Sequence, residues 1–485
     1  MLGSLDQLAE GVIETDVCVV GAGPAGITLA LSLAALGREV VLLEGGGLAP
    51  PGPEELDLYA GKVSGRKYPL RASRLRFFGG TTGHWGGWSR PLDQIDLAAK
   101  PHIPFSGWPL ERSELSPWYT QAHEWLEIPA NDYFEDRAPP FAGNLLPATL
   151  GLTTRYFRFS PPTRYGTAYR DRVAENARVR CYLGANATGL ERAGEGRIRS
   201  VIARSLQGKQ LEVRARNVVL AMGGIENARF LLNTDERTVA APGNHSDWLG
   251  RGFMDHPGWS PGTVISQDKL AYHQFTHEDQ LIMPVLGIAD DVLMSERLVN
   301  CCGILHPVSF DESIEKAYFS NPWSGGLGTA GDVSSYRLQL IFEPSPCRAS
   351  RVDLTEQRDA LGLRRADLHW TFNDYDFDML ERSISLINAY LGQTGMGRLK
   401  LVKPVNESTS SAAIGTGLHH MGTTRMSADP ADGVVDANCR VHGFDNLYIA
   451  GSSVFPTVGF SNPTLTIVAL ACRMANRIDQ EMSTA

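Results

Sequence analysis

Residues 16–44 read DVCVVGAGPAGITLALSLAALGREVVLLE, and this stretch decides the fold. The apolar run Val17–Val20 predicts a buried parallel strand, and Val40–Leu43 predicts a second strand after an intervening helix. The turn between the first strand and the helix holds three glycines in GxGxxG spacing, namely Gly21, Gly23 and Gly26. This order of strand, glycine turn, helix and strand is typical of a dinucleotide-binding βαβ unit.

Each position of this fingerprint has a physical reason. Gly21 permits the tight turn, Gly23 lets a pyrophosphate approach the backbone, and Gly26 lets the helix lie close to the sheet. The amides at the helix N-terminus then bind the phosphates. Glu44 ends the second strand, where a carboxylate can bind both hydroxyls of an adenosine ribose. An ordinary βαβ unit without a ligand does not explain three glycines and the acid together, so we predict dinucleotide binding.

Composition excludes several classes of protein. The 485 residues are 43% hydrophobic and 20% charged, which is ordinary for a soluble enzyme of two or three domains. A net charge of −9 argues against nucleic acid and against an anionic membrane surface as partners. The N-terminus lacks the basic start of a secretory signal, and no apolar run reaches the length of a membrane span. We therefore expect a cytoplasmic location.

Cysteine usage gives no sign of a metal or of an iron–sulfur cluster. The seven cysteines are scattered, and none forms a CxxC pair. We expect buried, reduced thiols and no metal site.

The order of patterns along the chain predicts an α/β protein, α+β overall, with one domain inserted in another. A meander from Arg178 to Met222 ends in a buried parallel-type strand, and Tyr375–Leu391 has a helical pattern, whereas Asn131–Gly166 looks irregular. We assign residues 1–95, 176–257 and 412–485 to the nucleotide-binding domain. The inserted domain with its connecting segments takes residues 96–175 and 258–411.

The number of phosphate fingerprints favours one nucleotide over another. A pyridine-nucleotide disulfide reductase needs a second GxGxxG for NAD(P)H, and the sequence has one. A single tightly held dinucleotide is therefore expected, which favours FAD over NAD.

Four separated motifs carry a resemblance to a known family. They are GGTTGHWGG at Gly79–Gly87, VVLAMGGIENAR at Val218–Arg229, LGRGFMDHPG at Leu249–Gly258, and a C-terminal stretch that contains LHHMGTTRM at Leu418–Met426 and GFSNPTLTI at Gly459–Ile467. In these the chain resembles the glucose–methanol–choline (GMC) oxidoreductases, in particular pyranose oxidases and the flavoprotein subunits of bacterial sugar dehydrogenases. The resemblance implies a Rossmann-like FAD-binding domain with an inserted antiparallel-sheet substrate domain.

The resemblance also implies the catalytic pair. In the family a histidine of an H-x-x-G-T motif acts on the substrate hydroxyl, which here matches His419, and a second His or Asn before the last helix matches Asn462. The chemistry moves a hydride from the carbinol carbon to flavin N5 while a neutral imidazole accepts the hydroxyl proton. With an ordinary histidine pKa, about 6.5, activity would fall below that pH. Successive residues in extended chain face opposite ways, so His420 is the structural neighbour.

The remaining FAD contacts follow from the same motifs. The expected cofactor-binding residues besides the fingerprint are Gly80, Thr81, His84, Trp85, Ala187, Gly451, Asn462, Pro463 and Thr464. In pyranose oxidases the matching histidine is bonded to the flavin 8α-methyl. Gly83 and Gly86 depart from their pattern, so the covalent link through His84 stays open. We interpret His256 as structural, binding backbone.

The resemblance implies oxidation of a CH–OH group of a sugar, glycoside or related polyol to a carbonyl. A non-sugar alcohol oxidase or dehydrogenase of the same family, or a flavoprotein with a binding or redox-sensing role, remains as an alternative. The electron acceptor, oxygen or another, and the oligomeric state stay open. The glycine-rich segment Phe319–Ser335 fits either a lid over the substrate or a surface loop.

Overall fold

The structure is a computed structural model that describes residues 1–7, 11–129, 132–134, 145, 151–234, 241–308, 334–401 and 414–484. Its helices are α1 (Pro24–Ala35), α2 (Pro53–Asp57), α3 (Gln94–Leu97), α4 (Arg112–Trp125), α5 (Tyr165–Ala168), α6 (Arg170–Glu175), α7 (Glu226–Asn233), α8 (Asp290–Ser295), α9 (Asp374–Gln393) and α10 (Thr464–Thr484).

The strands form three sheets. In chain order they are β1 (Leu2–Ser4), β2 (Gly11–Val20), β3 (Val40–Glu44), β4 (Gly61–Gly65), β5 (Trp88–Ser89), β6 (Leu152–Phe159), β7 (Val179–Leu183), β8 (Asn186–Arg192), β9 (Ile198–Arg204), β10 (Gln210–Leu220), β11 (Gly258–Ser266), β12 (Phe275–His277), β13 (Gln280–Ile288), β14 (Cys301–Val308), β15 (Ser334–Phe342), β16 (Arg351–Arg358), β17 (Arg364–Trp370), β18 (Arg398–Leu401) and β19 (Leu447–Ile449).

The first sheet is built around the fingerprint. Its order is β1-β7-β3-β2-β10-β9-β8, and β19 also pairs with β10. The pairs β1–β7, β7–β3, β3–β2, β2–β10 and β10–β19 are parallel. Strand β9 is antiparallel to β8 on one side and to the first half of β10 on the other. The apolar ends of β2 and β3 are fully buried, as parallel strands covered on both faces require. Helix α1 packs against β3 and against α10, which explains why it is apolar nearly all round.

The second sheet is antiparallel, with the order β18-β11-β15-β14-β13-β6-β5 and β12 beside β13. One of its faces packs with α9 in a core that includes Leu338, Leu340 and Ile384. The opposite face of β14 and β15 contributes Ile304 to a smaller cluster that contains Phe460, close to the start of α10. A third, small sheet joins β16 and β17 with β4. The two large sheets agree with the predicted fold class, and the domain boundaries stay a prediction.

Two local interpretations of the sequence were wrong. The segment expected to be irregular, Asn131–Gly166, contains β6, whose β-branched and aromatic residues pair with β13 from Ile282 to Ile288. The run that begins at Arg178 is two strands, because β7 joins the parallel part of the first sheet and only β8 belongs to the meander. The helix expected at Tyr375–Leu391 is α9. Of the segment Phe319–Ser335, residues 319–333 lie outside the described residues.

Three further findings concern the remaining expectations. All seven cysteines are buried. Within the described ranges, no three His, Cys, Asp or Glu side chains are grouped so that they could hold a metal ion. No helix in the described part of the chain is long and apolar enough to cross a membrane.

Candidate active site

A cavity of about 570 Å³ runs from the fingerprint to the motif that contains His419. The predicted cofactor contacts on its wall are Gly21, Gly23, Glu44, Gly80, Thr81, His84, Trp85, Ala187, Gly451, Asn462, Pro463 and Thr464. Gly26 lies behind this wall, inside α1. The structure therefore brings together residues that are as far apart in the sequence as Gly21 and Thr464.

The three fingerprint glycines have different surroundings. A Cβ atom on Gly26 would lie 1.8 Å from the carbonyl oxygen of Gly21, so the helix sits against the turn with no room for a side chain. Gly21 has a φ of 104°, and a Cβ there would lie 2.6 Å from the Ala221 carbonyl oxygen. Gly23 is open, since a Cβ on it would meet nothing within 4 Å. Gly23 thus leaves the approach to the helix N-terminus free, as a pyrophosphate requires.

The Glu44 carboxylate is held in place and still has acceptor capacity. It accepts hydrogen bonds from the amides of Ala22 at 2.9 Å and Gly46 at 2.8 Å. A carboxylate has about four lone-pair sites, so two remain for the hydroxyls of a ribose. Beside it, Arg76 donates to the side chain of Asn186, and both residues line the cavity.

The glycine loop at 79–87 packs directly on the fingerprint turn. The amide of Gly79 donates to the Ala22 carbonyl at 2.8 Å, and a Cβ on Gly80 would lie 3.1 Å from the Cα of Gly23. The guanidinium of Arg164 also binds the loop, because it donates hydrogen bonds to the carbonyls of Thr82 and Trp85, at 2.7 and 2.8 Å.

His84 lies on the cavity wall within this loop. Burial and the nearby guanidinium of Arg164 lower the pKa of His84, which favours the neutral ring. The position suits either a packed or a flavin-bonded histidine.

The start of α10 points into the same cavity. The carbonyl of Pro463 accepts the first helical hydrogen bond, from the amide of Ile467 at 2.9 Å. The amides before that bond have no partner in the helix, so the N-terminus presents a positive electrostatic end to the cavity. Gly451, with a φ of 113°, is open to the cavity in the same way as Gly23.

A short antiparallel bridge brings the D-H-P motif beside the H-x-x-G-T motif. Met254 and Met421 exchange both backbone hydrogen bonds, at 2.9 and 3.0 Å. The fully buried carboxylate of Asp255 then accepts from the amides of His256 at 2.7 Å and His419 at 2.8 Å. The same carboxylate accepts from the amide of Leu418 and from the hydroxyl of Thr416. Asp255 therefore holds the backbone that carries His419.

The His419 ring lies between two polar partners. Its Nδ1 is 2.9 Å from Nδ1 of His256, and its Nε2 is 3.4 Å from the amide nitrogen of Asn462. Burial and the neighbouring His256 and His420 lower the pKa of His419 well below its ordinary value. His419 is therefore neutral at neutral pH, and the arrangement suits a group that accepts a proton.

The two adjacent histidines have different surroundings. His420 is 3.0 Å from the hydroxyl of Ser73 and packs between Tyr68 and Phe253. Burial lowers the pKa of His420 to about 3. His256 makes the expected backbone contact, with its Nε2 3.2 Å from the carbonyl oxygen of Val458.

The sequence analysis missed part of the cavity wall. His306 on β14 and Gln339 on β15 line the cavity, and His306 Nε2 is 2.8 Å from Gln339 Oε1. Both lie on the sheet face opposite to Leu338 and Leu340, so the alternation of YRLQLIFE was the available signal.

The cavity has the features that FAD requires. Open backbone at Gly23 and Gly451 allows a pyrophosphate to approach, Glu44 has free acceptor sites, and the α10 N-terminus faces the same space. Residues 16–246 match the family described as "FAD dependent oxidoreductase", and residues 346–471 match the family described as "GMC oxidoreductase".

The chain belongs to the GMC oxidoreductase family. It is an FAD-dependent enzyme, and its fold is the predicted Rossmann-like FAD-binding domain combined with an antiparallel sheet.

Individual relatives agree with this assignment. A 6'''-hydroxyparomomycin C oxidase of Streptomyces lividus is 26% identical over 540 residues, covering 99% of this GMC oxidoreductase and 94% of the relative. A C-glycoside 3-oxidase of Microbacterium trichothecenolyticum is 34% identical over 292 residues, covering 60% of this chain and 52% of that relative. Among solved structures, a formate oxidase of Aspergillus oryzae has a TM-score of 0.57 at 17% identity, covering 98% of this chain and 100% of that one.

The fingerprint glycines give a prediction that separates folding from FAD binding. Gly26→Ala should lower the free energy of unfolding of the FAD-free protein by about 1–3 kcal/mol, because its Cβ overlaps the Gly21 carbonyl. Gly23→Ala should leave that free energy nearly unchanged and weaken FAD binding, because its methyl group enters the open space above the turn. Denaturant unfolding and FAD titration measure the two effects.

The matched control is Gly392→Ala on α9, where a Cβ also meets nothing within 4 Å. It should change neither quantity by more than the usual helix propensity of alanine over glycine, about 1 kcal/mol. Unfolding of Gly26→Ala at the wild-type denaturant concentration would show that the close packing of α1 on the turn is not required.

Proposed function

We propose that this enzyme oxidises a CH–OH group of a sugar, glycoside or related polyol to a carbonyl. The observation that supports it best is the pairing of His419 and Asn462 on the wall of the cavity that fits FAD. In this proposal Nε2 of His419 accepts the proton of the substrate hydroxyl, and the side chain of Asn462 holds the hydroxyl oxygen.

The side chains suit these roles electrostatically. A neutral imidazole can accept a proton, while the carboxamide of Asn462 orients an oxygen without becoming charged. Bound FAD supplies a hydride acceptor at its N5 atom. The carbinol carbon therefore loses a hydride, its hydroxyl loses a proton to His419, and the C–O single bond becomes a carbonyl.

The substrate class is supported by two independent observations. Two relatives are named for oxidation of an aminoglycoside and of a C-glycoside, and the second name specifies position 3. In this chain, His306 and Gln339 add polar groups to the cavity wall. With Gln339 Oε1 accepting from His306, the Gln339 amide N–H groups have no acceptor among the described residues and can bind a substrate hydroxyl. A secondary ring hydroxyl of a pyranose is our specific proposal for the reacting group.

Both relatives are named oxidases, which supports molecular oxygen as the final electron acceptor. The cytoplasmic location and the domain boundaries remain predictions.

The proposed reaction predicts the behaviour of bound flavin. A panel of pyranoses, glycosides and simple alcohols is mixed with the enzyme under anaerobic conditions. We expect pyranoses or glycosides in this panel to bleach the yellow flavin absorbance. His419→Ala should retain FAD and lose at least about 100-fold in bleaching rate, the usual contribution of a general base. Admitting air should restore the absorbance of the wild-type enzyme if oxygen is the acceptor.

The matched control is His277→Ala, which removes a partly exposed histidine of β12 from outside the cavity lining. It should bleach at the wild-type rate. Bleaching by simple alcohols alone would favour a non-sugar alcohol oxidase or dehydrogenase, and a flavin that no alcohol bleaches would favour a binding or redox-sensing flavoprotein.

The lowered pKa of His419 gives a pH prediction that corrects the value expected from the sequence. Because the folded-state pKa lies well below about 6.5, the neutral base persists as the pH falls through that value. The anaerobic bleaching rate should therefore stay level from about pH 8 to below about pH 6.5 and decrease only at lower pH. An inflection near pH 6.5, with the fold intact by circular dichroism, would contradict this.

The polar residues His306 and Gln339 on the cavity wall give a prediction about substrate affinity. Gln339→Met keeps the side-chain length and removes the amide, so KM for the best sugar should rise about tenfold, equivalent to one lost hydrogen bond of about 1.4 kcal/mol. FAD content should not change. Gln393→Met, the same exchange at an exposed position of α9, is the control. An unchanged KM in Gln339→Met would remove Gln339 from the substrate site.

A further inference from the structure

A chain of two hydrogen bonds joins a backbone carbonyl to the ring of His419. The carbonyl oxygen of Val458 is 3.2 Å from Nε2 of His256, and Nδ1 of His256 is 2.9 Å from Nδ1 of His419. The two rings meet edge to face, with centroids 5.1 Å apart and an interplanar angle of 83°. His256 is 3% exposed, so its ring is fixed by its surroundings.

The direction of both hydrogen bonds follows from the carbonyl oxygen of Val458. A carbonyl oxygen can only accept, so Nε2 of His256 must carry the hydrogen. A neutral imidazole with its hydrogen on Nε2 has a lone pair on Nδ1. Nδ1 of His419 must then be the donor, and the lone pair of neutral His419 lies on Nε2, beside Asn462.

We propose that His256 is a positioning residue that fixes His419 in the tautomer with its lone pair on Nε2, the atom that faces Asn462. Its catalytic consequence rests on the proposed function, in which that lone pair accepts the substrate proton. The tautomer itself is a property of the chain and does not depend on any substrate.

The environment keeps His256 neutral, as this role requires. Burial lowers the pKa of His256 to about 4, although the carboxylate of Glu343 acts in the opposite direction. The adjacent carboxylate of Asp255 is engaged by backbone amides and by Thr416. The His256 ring therefore presents a lone pair rather than a second N–H to His419.

A neutral acceptor at this position has a different effect from a carboxylate. In Ser-His-Asp triads a carboxylate fixes the histidine tautomer and also stabilises the imidazolium. An imidazole lone pair fixes the tautomer with less stabilisation of the charged form, so the pKa of His419 stays low and the base stays unprotonated. When Nε2 takes up a proton, Nδ1 continues to donate to His256, and neither ring has to turn.

The experiment that tests the tautomer is nitrogen NMR of enzyme labelled with ¹⁵N-histidine, with oxidised FAD bound and no substrate present. The signals of His419 are assigned by their loss in His419→Gln. The expected result is a protonated Nδ1 and an unprotonated Nε2 in wild-type enzyme, and a loss of this single pattern in His256→Ala. A wild-type His419 with its proton on Nε2 would overturn the proposal, whatever the enzyme oxidises.

Kinetics then separate positioning from simple packing. His256→Ala should lower the anaerobic bleaching rate by roughly 10- to 100-fold, the range typical of a lost partner behind a functional histidine. His256→Asn can place its amide oxygen near the former Nδ1 position, so it should recover most of that loss. FAD content should remain at the wild-type level in both.

Equal losses in His256→Ala and His256→Asn, with the wild-type tautomer retained by NMR, would show that the ring serves packing only. His245→Ala, at an exposed histidine, is the matched control and should leave the rate and the His419 signals unchanged. If His256→Ala fails to fold, the wild-type spectrum and His256→Asn still decide the question. A failure of every alcohol to bleach the flavin would count against the proposed function alone.

Discussion

The geometry of the active site depends on one buried carboxylate, that of Asp255. It accepts three backbone amides and one hydroxyl, which matches the lone-pair capacity of a carboxylate. These donors belong to two segments that are more than 150 residues apart, so the same group joins the D-H-P motif to the backbone of His419. Without the carboxylate, the buried amide of His256 would lose its acceptor, at a cost of about 1–3 kcal/mol.

A second buried carboxylate, that of Glu343, holds the segment that precedes Asn462. It follows β15 and accepts from the amides of Val458 at 3.1 Å and Gly459 at 3.0 Å, while it pairs with Lys100. The same Val458 carbonyl receives the hydrogen bond of His256. A buried ion pair is weak evidence for stability, because desolvation offsets the attraction. Its effect here is positional, since it connects the second sheet to the segment that leads to Asn462.

The sequence predicted what is local and left open what depends on distant contacts. Gly21, Gly23, Gly26 and Glu44 lie within one βαβ unit, so spacing and strand pattern were enough to place them. The contact between His256 and His419 spans 163 positions, and the sequence analysis did not predict it. The pKa expected for His419 was too high because the sequence does not show that this side chain is buried, and burial lowers its pKa. β6 was missed because its polar and aromatic residues follow no simple period, and its partner β13 lies over a hundred positions later.

The two walls of the cavity are held by different means, and this separates two properties of the enzyme. The segments that carry His419 and Asn462 are held by two buried carboxylates, because the amide of His419 donates to Asp255 and the amides of Val458 and Gly459 donate to Glu343. His306 and Gln339 project from one face of an antiparallel sheet whose other face packs on α9. A substitution on that face changes the polar groups that line the cavity without disturbing the core behind it or the proposed proton acceptor, His419. Under the proposed function, the fold can therefore vary the alcohol it binds while it keeps a single arrangement for removing the proton.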